Sequence, residues 1–154
     1  MPASLPGLDP RRQRVLDEAE SWLGTPYHPH GRVKGVKGGT DCLMLLAEVY
    51  ERAGIIDHVE VPYYRPDFMM HRGEERYLEG VLARGREVAI PEPADVVLYK
   101  WGRVFAHGGI IFDWPRILHA HNKYGVFWAK GDAAELAYDK AAKGPRLLKF
   151  ISPF

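Results

Sequence analysis

The only cysteine of the chain, Cys42, follows Asp41, a residue type that caps helices, and it precedes an apolar run with helical spacing. Cys42 therefore falls in the first turn of a predicted helix, where exposed backbone N–H groups favour a thiolate. A thiolate is a nucleophile suited to covalent catalysis. Position alone, however, favours a plainer interpretation, because free cysteines are among the most buried residue types.

Two histidines in the second half of the sequence change that balance. His107 lies within the run Ala106-His107-Gly108-Gly109-Ile110-Ile111, and His119 lies within Ile117-Leu118-His119-Ala120. Neighbouring antiparallel strands could hold the two imidazoles side by side on one face. Because a thiol needs a general base and the base an orienting partner, we predict these roles for Cys42, His107 and His119 in that order. The alternative is two half-buried strand histidines that bond to backbone.

Three further histidines leave alternatives open. On a regular strand His121 shares a face with His119, so it could replace His119 as the orienting partner. His28 and His30 could line the mouth of the same groove, and with His121 they raise the possibility of a metal site. The sequence lacks a compact ligand spacing such as His-Glu-x-x-His, and one cysteine excludes a multi-cysteine zinc site. We therefore expect no metal and no other cofactor.

The elements that position these residues are helices first and strands second. Asp9 caps a helix with Pro10 at its first position, and Gly24 stops that run. Residues 25–40 are rich in glycine and proline and predict a loop, whose basic side chains are most simply solvated. Asp41 begins a second helix that Gly54 closes. A third helix is predicted over Glu74–Ala83, after an aromatic connection at residues 57–70.

After Gly85 the sequence consists of short runs rich in β-branched and aromatic residues, separated by Gly, Pro or Asn. A short helix is predicted over Asp132–Ala142, between the last two strands. This order indicates an α+β fold, in which N-terminal helices pack on one side of a C-terminal antiparallel sheet of five or six strands. The predicted strands are Glu87–Ile90, Ala94–Tyr99, Val104–Phe112, Arg116–Ala120, Gly125–Ala129 and Leu147–Ile151.

Length and charge exclude several classes of protein. The 154 residues favour one domain, spanning residues 1–154, with residues 1–8 as a flexible tail. A net charge of +1 gives no broad attraction to nucleic acid or to an anionic membrane. No apolar run is long enough for a membrane span, and the N-terminus lacks the apolar segment of a secretory signal. We expect the chain to be made and first kept in a cytosol.

Several of these residues together resemble the NlpC-type cysteine peptidases, bacterial cell-wall endopeptidases with a papain-like fold. The resemblance covers roughly residues 10–125 in the same linear order. It implies that Cys42 is the nucleophile, His107 the base and His119 the residue that orients the base. The motifs that carry it are Leu23-Gly24-Thr25-Pro26-Tyr27, Thr40-Asp41-Cys42, Ala94-Asp95-Val96-Val97, His107-Gly108-Gly109-Ile110 and Leu118-His119-Ala120.

The resemblance also implies substrate and partners. Tyr27 would lie near the thiolate and help to bind the oxyanion or substrate, and Asp41 matches the aspartate before the family cysteine. Members of the family cut amide bonds in peptidoglycan stem peptides, commonly between D-glutamate and the diamino acid. No cofactor is implied.

The chain departs from the family where Leu43 and Met44 replace the usual Ser-Gly after the cysteine. We expect Met44 to narrow the groove. Because phage-tail members often have Leu after Asp-Cys, the resemblance implies a phage or phage-like tail component docked on a hub or baseplate protein. Such a protein would pass from the cytoplasm of the producing cell to the particle and act in the cell wall or periplasm of the target. The alternatives are an inactive structural tail-tip module and an amidase or acyltransferase on the same scaffold.

Overall fold

The helices begin where the sequence supplies capping side chains. The structure, a computed structural model, describes residues 6–61 and 76–154. The side chain of Asp9 accepts a hydrogen bond from the Arg11 N–H at the start of α1 (Pro10–Glu20), and Asp41 accepts one from Met44 N–H at the start of α2 (Cys42–Arg52). Gly54 follows α2 with a φ of 76°, a conformation that glycine adopts without strain.

Two further helices are short. The third, α3 (Arg76–Leu82), falls within the predicted range; residues 74 and 75 and the aromatic cluster at 63–70 lie outside the described residues. The fourth, α4 (Ala134–Ala137), is much shorter than the predicted helix over residues 132–142. It ends because the Asp139 carboxylate accepts hydrogen bonds from the N–H groups of Ala141 and Ala142, which turns the chain into a hairpin.

The predicted strands form one antiparallel sheet of six strands. The prediction of an α+β fold with helices before strands is confirmed. Two small hairpins were not predicted: β1 (Arg32–Val33) with β2 (Gly39–Thr40), inside the expected loop, and β8 (Tyr138–Asp139) with β9 (Gly144–Pro145). The six strands are β3 (Arg86–Val88), β4 (Val96–Trp101), β5 (Val104–Asp113), β6 (Arg116–His121), β7 (Gly125–Lys130) and β10 (Leu148–Ser152). Their order across the sheet is β3-β10-β4-β5-β6-β7.

The sheet buries both of its faces. The main core lies between the sheet and α1, α2 and α3, and it includes Trp22, Leu45 and Phe112. A smaller cluster on the opposite face contains Tyr99, Ile117 and Leu136 of α4. The N-terminal helices α1 to α3 therefore pack on one side of the sheet, as expected, whereas α4, near the C-terminus, packs on the opposite face.

A buried ion pair ties α1 to the sheet. Arg12 donates to the Asp95 carboxylate and to the Pro93 carbonyl at 2.8 Å each, and its guanidinium lies 4.3 Å from the centre of the Phe154 ring. The Asp95 side chain is 1% exposed, so its charge has little access to water. The pair holds α1 against the loop that leads into β4.

We predict that Arg12→Met lowers the free energy of unfolding by about 3 kcal/mol or more, because it leaves the Asp95 charge buried without its partner. Urea denaturation measures this change. Arg11→Met is the control: Arg11 pairs with Asp9 at the surface, where water screens the charges, so a much smaller change is expected. Equal effects of the two substitutions would contradict this account of the Arg12–Asp95 pair.

Candidate active site

Cys42 is the first residue of α2, as predicted. Its side chain is partly buried, and its thiol donates a hydrogen bond to the carbonyl of Ala106 on β5, with 3.6 Å between sulfur and oxygen. This contact places the sulfur over the strand that carries His107. The helix start and β5 therefore meet at the sulfur atom.

Asp41 connects the helix start to the preceding loop. One carboxylate oxygen accepts from Met44 N–H and the other from His30 N–H, each at 2.9 Å. The same loop holds Tyr27 in place, because His28 N–H donates to the Thr40 carbonyl at 2.9 Å and Thr40 N–H donates to the Pro26 carbonyl at 3.0 Å. The motif around Tyr27 is thus fixed beside Cys42.

His107 and His119 lie together on neighbouring strands. His107 Nε2 and His119 Nδ1 are 2.8 Å apart, which is hydrogen-bond distance. Gly109 leaves room for this arrangement, because a Cβ on that residue would lie 3.4 Å from the Cβ of His119 and 3.0 Å from a methyl group of Ile117. Since Nε2 of His107 is used in this pair, Nδ1 is the nitrogen that can take a proton from a thiol.

One cavity of about 660 Å³ contains all five residues predicted for the site. It runs from the start of α2 across the ends of β5, β6 and β7 towards α4. Its lining is largely aromatic and apolar, with Lys130 and Glu135 at the α4 end. The predicted residues are Tyr27, Asp41, Cys42, His107 and His119, and neighbours in the lining include Leu43, Tyr77, Trp101, His121, Tyr124, Phe127 and Trp128.

The other histidines take different positions. His121 lines the cavity, but its Nδ1 accepts from the N–H groups of Lys123 and Tyr124 in the turn, whereas His119 contacts His107. His28 and His30 do not line the cavity, although Pro29, which lies between them in the sequence, does. Within residues 6–61 and 76–154, no group of three or more His, Cys, Asp or Glu side chains could hold a metal ion.

Two expectations about the helix start and the loop need correction. Met44 is 5% exposed and does not line the cavity. Leu43, the preceding residue, faces the cavity instead, because successive residues of a helix point in different directions. The basic side chains of the loop are largely in ion pairs: Arg32 binds Glu48 and Glu51 on α2, and Lys34 binds Glu18 on α1. These pairs attach the loop to both helices.

The electrostatics correct the expectation of a thiolate. Burial and the negative charge of Asp41 raise the pKa of Cys42 to about 12, although hydrogen bonds from Tyr77, Gly108 N–H and Leu43 N–H oppose the shift. Desolvation and the capping carboxylate of Asp41 therefore outweigh the N-terminus of α2, which by itself favours the thiolate. Burial and the charges of Cys42 and Asp41 likewise raise the pKa of Tyr27 to about 12, so its phenol stays a hydrogen-bond donor.

The two imidazoles are also neutral. Burial, followed by His119, His121 and Arg146, lowers the pKa of His107 to about 3, and burial with His121 lowers that of His119 to about 4. For Nδ1 of His107 to act as a base, its proton must sit on Nε2 and be donated to Nδ1 of His119. The site at neutral pH thus holds a neutral thiol and two neutral imidazoles.

Sequence reasoning missed two aromatic residues beside the reacting groups. Tyr77 of α3 lines the cavity with Cys42 and lowers the pKa of its thiol, and the Trp101 ring centre lies 5.9 Å from that of His107. Arg146 covers the same indole, with its guanidinium carbon 3.6 Å from the ring centre. All three residues reach the site through long-range packing, which leaves no local signal in the sequence.

Comparison with known proteins finds similarity in structure alone. No protein-family model matches the sequence, and no curated protein matches it. The NlpC/p60 domain of the peptidoglycan hydrolase SagA matches with a TM-score of 0.52 at 16% identity, over 77% of this chain and 88% of that one. The peptidoglycan hydrolase RipB of Mycobacterium tuberculosis matches with a TM-score of 0.55 at 21% identity, over 92% of this chain and 63% of that one.

A third match is a domain without catalytic activity. RipD of Mycobacterium tuberculosis, described as a non-catalytic NlpC/p60 domain protein adapted to peptidoglycan binding, gives a TM-score of 0.57 at 13% identity. The alignment covers 94% of this chain and 98% of RipD. At such identities the likeness concerns the fold: the chain has the α+β fold of NlpC/p60 domains. The activities of these neighbours are their own.

We predict that acid destabilises the protein through its paired histidines. Their folded-state pKa values lie below the ordinary value near 6.5, so the unfolded chain binds more protons between about pH 6.5 and pH 4. Their contribution to stability is complete above pH 6.5 and is lost as the pH falls, by up to about 1.4 kcal/mol per pH unit for each histidine. Urea midpoints between pH 7.5 and 4.5 measure the slope.

The double variant His107→Gln/His119→Gln is the control for this slope, because glutamine cannot take up a proton in this range. We expect its midpoint to fall less steeply with acid than that of the wild type. Identical slopes would show that these imidazoles titrate normally.

We also predict that the Cys42 thiol reacts with iodoacetamide at a rate that rises about tenfold per pH unit from pH 6 to 9. With the thiol pKa raised to about 12, the thiolate fraction grows in proportion to hydroxide throughout this range. Mass spectrometry of the alkylated protein gives the rate. A rate that stays constant above pH 6 would indicate a preformed thiolate–imidazolium pair instead.

Proposed function

We propose that this chain is a peptidoglycan endopeptidase that hydrolyses an amide bond of the stem peptide with Cys42 as nucleophile. The observation that carries the proposal is the hydrogen-bonded pair of His107 and His119 in the same cavity as a cysteine at a helix start. The shared fold with domains of the peptidoglycan hydrolases SagA and RipB supports the choice of substrate.

The mechanism begins from neutral groups. His107 Nδ1 takes the proton of Cys42 as the sulfur attacks the scissile carbonyl, and its Nε2–H donates to His119, which holds the ring in the required tautomer. The oxyanion accepts hydrogen bonds from backbone N–H groups at the start of α2 and from the Tyr27 hydroxyl. His107 then protonates the leaving amine. Finally, water, deprotonated by His107, hydrolyses the thioester and restores the thiol.

A neutral resting pair suits a largely apolar cavity. A thiolate and an imidazolium would each lose hydration when a peptide fills the site, and that loss disfavours the charged pair. Charge then develops only as the sulfur attacks, when the oxyanion donors accept it. The aromatic lining packs against the peptide, and Lys130 provides a cation for the carboxylates of the stem peptide.

The proposal extends to a phage or phage-like particle. Leu43 after Asp41-Cys42 is similar to the phage-tail members of the family, and it faces the cavity. In this proposal the protein docks on a tail hub or baseplate protein, leaves the producing cell in the particle, and opens the cell wall of the target from the tail. None of the helices in the part of the chain that the structure describes is long and apolar enough to cross a membrane.

A second candidate function is peptidoglycan binding without catalysis. It is favoured by the match to RipD, which covers nearly the whole of both chains, and by the Cys42 thiol, which bonds to the Ala106 carbonyl. This candidate predicts binding to the cell wall with no cleavage. It gives no role to the pairing of His107 with His119, which is why we favour the enzyme.

We predict that purified protein releases new peptide fragments from isolated sacculi, and that Cys42→Ala abolishes the release. His107→Ala should reduce the rate about 10³-fold, since it removes the base, and His119→Ala by about 10- to 100-fold, since it removes only the orienting partner. Mass spectrometry of the fragments identifies the bond that is cut.

Circular dichroism of each variant and His28→Ala serve as controls, because His28 is exposed and lies outside the cavity. Cleavage by Cys42→Ala at the wild-type rate would overturn the mechanism. Binding to sacculi without any cleavage by the wild type would favour the second candidate. Turnover of simple amides or thioesters, with intact sacculi, would indicate an amidase or acyltransferase.

A further inference from the structure

Tyr77 reaches the reacting sulfur from an element that no motif of the sequence marks. The helix that carries it, α3, packs against β5. The Tyr77 side chain is 4% exposed and belongs to the main core, yet it lines the same cavity as Cys42. Its hydroxyl is among the groups that lower the pKa of the Cys42 thiol, so the phenol acts on the sulfur from inside the cavity that the two residues share.

Gly108 makes room for the Tyr77 hydroxyl. A Cβ on Gly108 would lie 2.7 Å from that oxygen, closer than real Cβ atoms approach, and 2.9 Å from a methyl group of Leu98. The backbone N–H of Gly108 also points at Cys42. Glycine at this position therefore permits the phenol and the strand to approach the sulfur together.

The sulfur has one proton to donate and several donors around it. The thiol donates its proton to the Ala106 carbonyl, while the Tyr77 hydroxyl and the N–H groups of Gly108 and Leu43 lower the thiol pKa. When the proton leaves, those three donors face an anion, and hydrogen bonds to an anion are stronger than those to a neutral acceptor. They oppose the effects of burial and of Asp41, which favour the protonated thiol.

We propose that Tyr77 is a further catalytic residue, whose O–H stabilises the Cys42 thiolate in the attack and again when the thiolate leaves. Its part in turnover rests on the function proposed above; its contact with the sulfur does not. Tyr77 keeps its proton throughout: the thiol proton goes to His107 Nδ1, and the sulfur electron pair forms the C–S bond. In deacylation the same pair returns to sulfur, where the Tyr77 hydrogen bond makes the thiolate a better leaving group.

The test is the rate of Cys42 alkylation by iodoacetamide at pH 8 in Tyr77→Phe. Losing one hydrogen bond raises the thiol pKa by about one unit, which lowers the thiolate fraction about tenfold. The more basic thiolate is about threefold more nucleophilic, so alkylation is expected to be about threefold slower. In guanidinium chloride, wild type and variant should react at equal rates. On sacculi, kcat/KM should fall about three- to tenfold.

Tyr50→Phe is the matched control, because Tyr50 is also a buried tyrosine whose hydroxyl has one partner, the Ala94 carbonyl, away from the sulfur. It should leave the alkylation rate unchanged. Gly108→Ala supplies a second variant: the added methyl group displaces the phenol and should slow alkylation in the presence of Tyr77. Combining Gly108→Ala with Tyr77→Phe should then slow it little further, because both changes remove one interaction.

Alkylation of folded Tyr77→Phe at or above the wild-type rate would overturn the proposal, and so would additive effects of the two substitutions. Alkylation requires no peptide, so the outcome is separable from the proposed function. If Tyr77→Phe slows alkylation but the wild-type protein leaves sacculi intact, the effect of Tyr77 on the thiol stands and the endopeptidase function is rejected.

Discussion

The site depends on the two backbone hydrogen bonds that the carboxylate of Asp41 accepts. Asp41 is 3% exposed, and its two carboxylate oxygens accept from Met44 N–H in α2 and from His30 N–H in the preceding loop. One side chain thus starts the helix that presents Cys42 and fixes the loop that presents Tyr27. The cost is electrostatic, because a buried negative charge beside the thiol raises the pKa of Cys42 and opposes the helix terminus.

The rest of the site compensates for that cost. Groups from three elements lower the pKa of the thiol: Leu43 N–H from α2, Gly108 N–H from β5 and the Tyr77 hydroxyl from α3. Burial and the neighbouring imidazoles keep His107 neutral near neutral pH, so its free nitrogen is available to the thiol proton without a prior deprotonation. Asp41 therefore positions Cys42 but disfavours its thiolate. Gly108 and Tyr77, which favour ionisation of the thiol, reach it through tertiary packing.

Much of the fold is readable in local signals. Asp9 with Pro10, Asp41 and Gly54 mark helix ends through backbone hydrogen bonds within a few residues, and short β-branched runs between Gly and Pro predict the six strands of the sheet. Prediction fails where a side chain overrides a pattern. Asp139 turns the chain after four residues of α4, and the ion pairs of Arg32 and Lys34 order a segment whose glycines suggested a loop.

The sequence by itself determined the helix start at Cys42, the strands of His107 and His119, and the α+β class, because capping and alternation act over a few residues. Only the tertiary structure decided that His119 rather than His121 meets His107, that Leu43 rather than Met44 faces the cavity, and that the thiol stays protonated. Register, side-chain direction and burial decide these three features. Each is set by contacts between residues far apart in the chain, as is the approach of Tyr77 to Cys42.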